Sequence, residues 1–220
     1  KNFNFLQKAS TLNPNLNTPF VYFPMNVDEE MNLLHYAPFY NNQIEVIRHI
    51  AKSIPIDYVL FVKDHVASKL RGWHEPNYYK EILEIPNVIL INPNFDNDTL
   101  VQHSKLIFGI RGTTPLKALK YGRSSIIFGD QAFKILPSIF KVDSLTTLPN
   151  LIVEALTHKV EPFEYEQYEE LLQNRLIEIL KIDDIILFEK TLHKSYNINQ
   201  PLLVTYPGNT LLFDSIMYGA

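Results

Sequence analysis

The chain has no cysteine, which removes disulfides, thiolate chemistry and cysteine-ligated zinc together and fits a reducing compartment. No apolar run approaches the roughly 20 residues that a membrane helix needs, so no integral membrane segment is expected. No leader-like pattern opens the sequence at Lys1, and a piece of something longer is expected. Neither sign of charge dominates. Lys and Arg number 20 against 24 Asp and Glu, a net charge of -4, so no general attraction to nucleic acid arises and any basic site must be local. A GxGxxG fingerprint is missing, which argues against an NAD enzyme, and so are a GxSxG elbow and a Ser-His-Asp order, which argues against a serine hydrolase. There is no repeat at a fixed period.

What is present is 220 residues, 46% hydrophobic, which suits one large domain or one and a half, with a substantial core. Residues 20–23 form a short aromatic and β-branched strand between Pro19 and Pro24. Residues 57–62, 87–91, 106–110 and 126–128 read as further strands, and 139–142 as a candidate last one. Their nearly continuous apolar character is that of parallel strands covered on both faces. Helical spacing recurs at 41–53, through Ile44, Ile47, Ile50 and Ala51. It recurs again at 77–83, at 97–103 with Asn97 or Asp98 as its cap, and at 148–156. This alternation predicts an α/β fold, a doubly wound parallel sheet, over residues 18–160. The Asn-rich residues 1–17 read as a connector, and 161–220 as a helical extension and tail. Within the extension, 163–190 is amphipathic with a break near Asp183 and Asp184, and its apolar side carries Leu171, Leu172, Leu176, Ile179 and Leu180. Residues 191–220 read as an irregular arm that needs another surface.

Ligands of doubly wound sheets sit at the carboxyl ends of the strands. The richest segment there is 106–129: a strand, the turn Arg111-Gly112-Thr113-Thr114, a short helix stopped by Gly122, and a second strand. Unpaired amides of a first helical turn, a glycine that permits close approach and two hydroxyls suit a phosphate. The plainer alternative is that Thr113 only caps and Gly112 only turns. Lys63, Asp64 and His65 follow the strand 57–62, and Lys63 or His65 supplies the cation that amides lack. Arg111 is a second candidate for a diphosphate or carboxylate. The geometric expectation is that two neighbouring strand tips bring His65 and the Thr113-Thr114 turn to one phosphate. Trp73 and His74 belong to a loop that either closes over the site or plugs the core beneath it. His35 with Asp28, Glu29 and Glu30 lacks metal spacing and reads as a solvated acidic run, so no metal ligand is assigned.

The run from Thr18 to Glu30, Tyr36 to Gln43, Phe61-Val62-Lys63-Asp64-His65, and Gly112-Thr113-Thr114 with Ala118-Leu119-Lys120-Tyr121-Gly122 resemble, in order, the capsule polysaccharide biosynthesis family. The resemblance covers about residues 18–160. It implies a Rossmann-like, GT-B carboxy-terminal half that binds a nucleotide-activated sugar, with CMP-linked acidic sugars favoured, and a glycan acceptor. Such a half lacks the acceptor domain. Phosphate and nucleotide contacts fall, by that resemblance, to Lys63, His65, Thr113 and Thr114; His65 is the catalytic candidate, and Arg111, Gly112 and Lys117 are added as substrate-binding candidates from their place around the turn. No cofactor is implied. Two departures stand out. The family's Glu-His-Pro is Asp64-His65-Val66 here, and its Glu-Ala-Leu is Lys117-Ala118-Leu119, where a Lys cannot accept a hydroxyl proton as a carboxylate does. Two alternatives follow: a non-catalytic module that docks a partner or a second copy through its tail, and an epimerase or phosphotransferase of the same architecture. The expected location is the cytoplasm, with peripheral attachment at the inner face of the membrane.

Overall fold

Alternate residues of six short strands face two different layers of helices, which is why the strands are apolar almost throughout. The computed structural model describes residues 2–28, 31–34, 37–71, 73–161 and 163–179. Strands β1 (Phe20–Pro24), β2 (Val59–Lys63), β3 (Val88–Ile91), β4 (Leu106–Gly109), β5 (Ser125–Ile127) and β6 (Ile139–Lys141) form one sheet in the order β3-β2-β1-β4-β5-β6. Every pairing is parallel. The helices are α1 (Asn2–Ala9), α2 (Met31–Leu34), α3 (Gln43–Ser53), α4 (Pro76–Leu83), α5 (Asn97–His103), α6 (Thr114–Ala118), α7 (Leu148–Thr157) and α8 (Glu164–Ile179).

On one face, Val21, Phe23, Leu60, Val62 and Phe108 pack under Ile47 and Ile50 of α3, Ile82 of α4 and Ile152 of α7. Phe20, Tyr22, Phe61 and Ile107 point the other way, against Leu100 and Val101 of α5 and Ala118 of α6. Each such side chain, fully buried, contributes about 2 kcal/mol. The doubly wound parallel sheet expected from the sequence is therefore present, with 139–142 realised as β6.

The strand order corrects one expectation. Strands β2 and β4 are not neighbours, because β1 lies between them, so their tips stand two strand spacings, roughly 10 Å, apart. Pairing between segments 40 to 85 residues apart decides this order, and no local pattern reports it. The chain leaves β1 toward β2 and β3, then crosses to the other side at β4. The gap between the β1 and β4 tips is thus the topological switch point.

Three local readings also change. Within the expected connector, α1 buries Leu6 completely, and Thr11 bridges to Ile91 beside β3. Helix α5 is capped by Asp96 rather than Asn97 or Asp98: its Oδ2 accepts from the Thr99 amide at 2.7 Å, and its backbone is extended where theirs is helical. The loop 25–40 contains α2 and a 3-10 turn at Pro38–Tyr40. At the start of α8, Glu164 is 5% exposed and accepts from the Ser138 amide at 3.0 Å and the Ser138 hydroxyl at 2.6 Å.

The chain divides into two units, Lys1–Tyr168 and Glu169–Ala220. Of the second, the structure describes only the helical residues 169–179, so the proposed break near Asp183 and Asp184 and the tail lie outside the described residues. Among the described residues no helix is long and apolar enough to cross a membrane.

Candidate functional site

The β4 tip is shaped by its glycines. A Cβ on Gly109 would lie 2.6 Å from Cγ of Pro115, so a side chain there would push α6 off the strand end. Gly112 has φ +112°, a conformation that costs an L side chain strain and costs glycine none. Gly112 and Thr113 are exposed, while Arg111 and Thr114 are half-buried. Thr113 occupies the cap position of α6, but its hydroxyl makes no capping bond. The helix continues as a 3-10 turn, Leu119–Tyr121, and ends at Gly122 in the left-handed region, as the sequence suggested. Lys117 is exposed one turn along from Thr113, to whose carbonyl its amide donates at 2.9 Å.

The β1 tip closes the other side of the switch point. Asn26 Nδ2 donates to the Arg111 carbonyl at 2.9 Å, tying the two loops together. Asn26 is in turn gripped by Gln43, the first residue of α3. Gln43 Oε1 accepts from the Asn26 amide, and its Nε2 donates to the Asn26 carbonyl, both at 2.8 Å. From the far side, Gly129 leaves room for this arrangement, since a Cβ on it would lie 2.6 Å from the Ile110 oxygen.

The β2 tip is organised differently. Lys63 is 7% exposed and donates from Nζ to the Phe95 carbonyl at 2.9 Å; burial lowers its pKa, and Asp96 and Asp98 act against that shift. It shares the face of Phe61, away from Asp64. Asp64 is fully buried and accepts from Tyr79 OH at 2.6 Å, Ser68 Oγ at 2.9 Å and the His65 amide at 2.7 Å. Burial first, and Asp64 second, raises the Tyr79 pKa, so the phenol stays a donor. His65 is exposed, and its Nδ1 accepts from the Ala67 amide at 3.1 Å, which puts the proton of the neutral ring on Nε2.

Of the residues singled out in the sequence, Arg111, Gly112, Thr113 and Thr114 stand together at the switch point with Lys117 one turn away. Lys63 and His65 stand two strands over. Trp73 takes the plugging role: its ring stacks on Phe3 at 5.4 Å, and its φ of 63° is rare for a bulky residue. Sequence reasoning missed Asn26, Gln43 and the pairing of Asp28 with His74, whose Nδ1 lies 3.5 Å from Asp28 Oδ2. For Asn26 and Asp28 the available signal was a polar residue just past the end of β1; Gln43 and His74 carried none. Glu29, Glu30 and His35 lie outside the described residues.

No protein-family model matches the chain, and no curated protein matches it. Among solved structures it is similar to Thermosulfurimonas dismutans KpsC, a beta Kdo 2,7 transferase, with 10% identity and TM-score 0.48 over 74% of this chain and 48% of that one. It is similar to the UDP-GlcNAc 2-epimerase of Methanocaldococcus jannaschii, with 15% identity and TM-score 0.49 over 78% of this chain and 48% of that one. A third is the catalytic domain of the cholesterol-alpha-glucosyltransferase of Helicobacter pylori, with 16% identity and TM-score 0.41 over 71% and 99%. The chain thus spans about half the length, 48%, of the first two.

Proposed function

We propose that this chain is the donor-binding half of a glycosyltransferase in bacterial capsule or surface polysaccharide synthesis. It takes a nucleotide-activated sugar, CMP-linked as the sequence resemblance favours, and passes the sugar to a glycan acceptor in the cytoplasm, at the inner face of the membrane. The observation that carries this reading is the exposed Gly112-Thr113 pair beside half-buried Arg111 at the switch point, with a hydroxyl that makes no capping bond. An acceptor hydroxyl attacks the anomeric carbon while negative charge grows on the departing nucleotide phosphate. Donors fixed in advance around that phosphate stabilise the transition state more than the ground state. Thr113, Thr114, the amides of the turn and the Arg111 guanidinium are those donors. His65, on the β2 side, is the catalytic candidate, and Lys117 lies along the path of a nucleotide following α6. Lys63 acts from below, fixing the loop at Phe95.

Calorimetric titration with CMP, CDP and UDP tests the reading. One of them binds, and Thr113→Ala with Thr114→Ala weakens it about tenfold, the loss of one to two hydrogen bonds to a charged group. His65→Ala weakens it less. Indifference of binding to all of these substitutions would remove the site.

A further inference from the structure

The backbone that follows β4 is lopsided in its hydrogen bonding. Its carbonyls are taken by the protein: Gly109 by the Phe128 amide at 2.9 Å, Ile110 by the Gly129 amide at 2.8 Å, Arg111 by Asn26 Nδ2 at 2.9 Å and Thr113 by the Lys117 amide at 2.9 Å. The amides of Gly112 and Thr113 have no acceptor among the described residues. Successive amides left over in this way, with the neighbouring carbonyls turned elsewhere, suit an anion.

One bond decides which way the Gly112 amide points. No peptide bond among the described residues is cis, so the Arg111 carbonyl and the Gly112 N–H point in opposite directions in one plane. Asn26 takes that carbonyl, and the Gly112 N–H therefore points away from Asn26. Without the bond this peptide would turn over easily, because Gly112, at φ +112°, is the residue type that tolerates both signs of φ. Turned over, it would present a carbonyl in place of the N–H. Asn26 stands close enough to prevent this, with Nδ2 3.9 Å from where a Cβ on Gly112 would be.

Asn26 is held in its turn by Gln43, which is 1% exposed at the start of α3. Oε1 accepts from the Asn26 amide and Nε2 donates to the Asn26 carbonyl, both at 2.8 Å, and Nε2 donates also to Asp28 Oδ1. Behind Gln43, the side chains of Ile44, Val46, Ile47 and Ile50 anchor α3 in the core, which gives the frame a rigid base. The Asn26 side chain has a buried Oδ1 with no partner among the described residues. A leucine of similar size would strand no acceptor, so packing does not account for an asparagine here, whereas the bond to Arg111 does.

Resting on the donor-site reading above, we infer that Asn26, framed by Gln43, is a positioning residue of the phosphate turn: it holds the Arg111-Gly112 peptide so that the Gly112 N–H is a preset donor to the phosphate. A donor fixed before the ligand arrives needs no reorganisation when it binds. Asn26 acts through the turn rather than on the ligand.

The test compares the full chain with its Asn26→Leu variant, with CMP, CDP and UDP as probes. By calorimetry the variant should bind the tightest of the three about tenfold more weakly, the effect of one hydrogen bond to a charged group. In proton–nitrogen correlation spectra the Gly112 amide proton of wild type should move downfield as that nucleotide is added, and in the variant it should stay in place even at saturation. The urea midpoint of the variant should remain at or above that of wild type, since the stranded acceptor leaves together with the bond. Unchanged affinity, a Gly112 amide that does not respond in wild type or still responds in the variant, or a midpoint that falls along with affinity overturns the inference and leaves the donor site standing. Wild type that binds none of the three nucleotides removes the donor site, and this inference with it. Should Asn26→Leu fail to fold, Asn26→Ser, too short to reach the Arg111 carbonyl, takes its place for the affinity and the Gly112 shift, with the same expected and contrary results.

Discussion

The tips of β2 and β4 carry the same ingredients, a cation next to small polar groups at the carboxyl edge of one sheet, and they use them in opposite ways. At β2 the polar groups turn inward: Lys63 is tied to the Phe95 carbonyl, and Asp64 is enclosed by Tyr79, Ser68 and the His65 amide. At β4 they turn outward, with Gly112 and Thr113 exposed and the Thr113 hydroxyl making no capping bond. Residue type alone does not distinguish a strut from a ligand site. What distinguishes them is whether the hydrogen-bonding capacity has been used up by the fold, since a satisfied buried group gains little from a ligand and loses much when disturbed.

The largest effect that separates the two tips is expected at Asp64. Asp64→Ala strands the Tyr79 and Ser68 hydroxyls and the His65 amide, and urea unfolding should register a loss of about 3 kcal/mol. A loss below about 1 kcal/mol would erase the distinction. Gly129→Ala comes next. Its Cβ would meet the Ile110 oxygen at 2.6 Å and Arg111 Cγ at 2.8 Å, so the β4 loop must shift. Stability should fall by about 1–2 kcal/mol and nucleotide affinity should fall in parallel. Separate movement of the two readouts would disconnect this glycine from the site.

Asp96, near Lys63 on the β2 side, gives a pH-dependent measure. Bonds from the Thr99 hydroxyl and amide hold its carboxyl below the ordinary aspartate range. The stabilisation is therefore complete above the unfolded value and disappears as pH falls through the folded one. Asp96→Ala should lose about 1 kcal/mol near neutrality, and the gap to wild type should close in strongly acid solution. The smallest effect on stability belongs to the outward tip. Thr113→Ala should leave unfolding within about 0.5 kcal/mol of wild type, while nucleotide binding weakens. A large stability loss there would make Thr113 structural and bring the two tips into one class.

The contrast also explains what could be read from the sequence. Strands such as 106–110 are legible because a strand covered on both faces must be apolar at every position, and the turn after it because Gly112 and Gly122 sit where positive φ is needed. The placement of β1 between β2 and β4 was not legible, for it follows from pairings such as Val21 with Leu106. Nor was the set Asn26, Gln43, Asp28 and His74, whose members come from two loops and a helix start, none bearing a motif. Helix α1 escaped because its Asn-rich segment shows a single fully buried anchor, Leu6.

The Ser138 and Glu164 contact bears on where the polypeptide can be cut. An expression boundary drawn at residue 160, where the α/β alternation runs out, would remove the carboxylate that receives both the amide and the hydroxyl of a wholly enclosed serine, and with it the Tyr165 and Tyr168 rings that roof Phe133. A fragment that keeps these contacts therefore extends through the first turns of α8, and shorter versions would expose the apolar surface around Phe133 in their place.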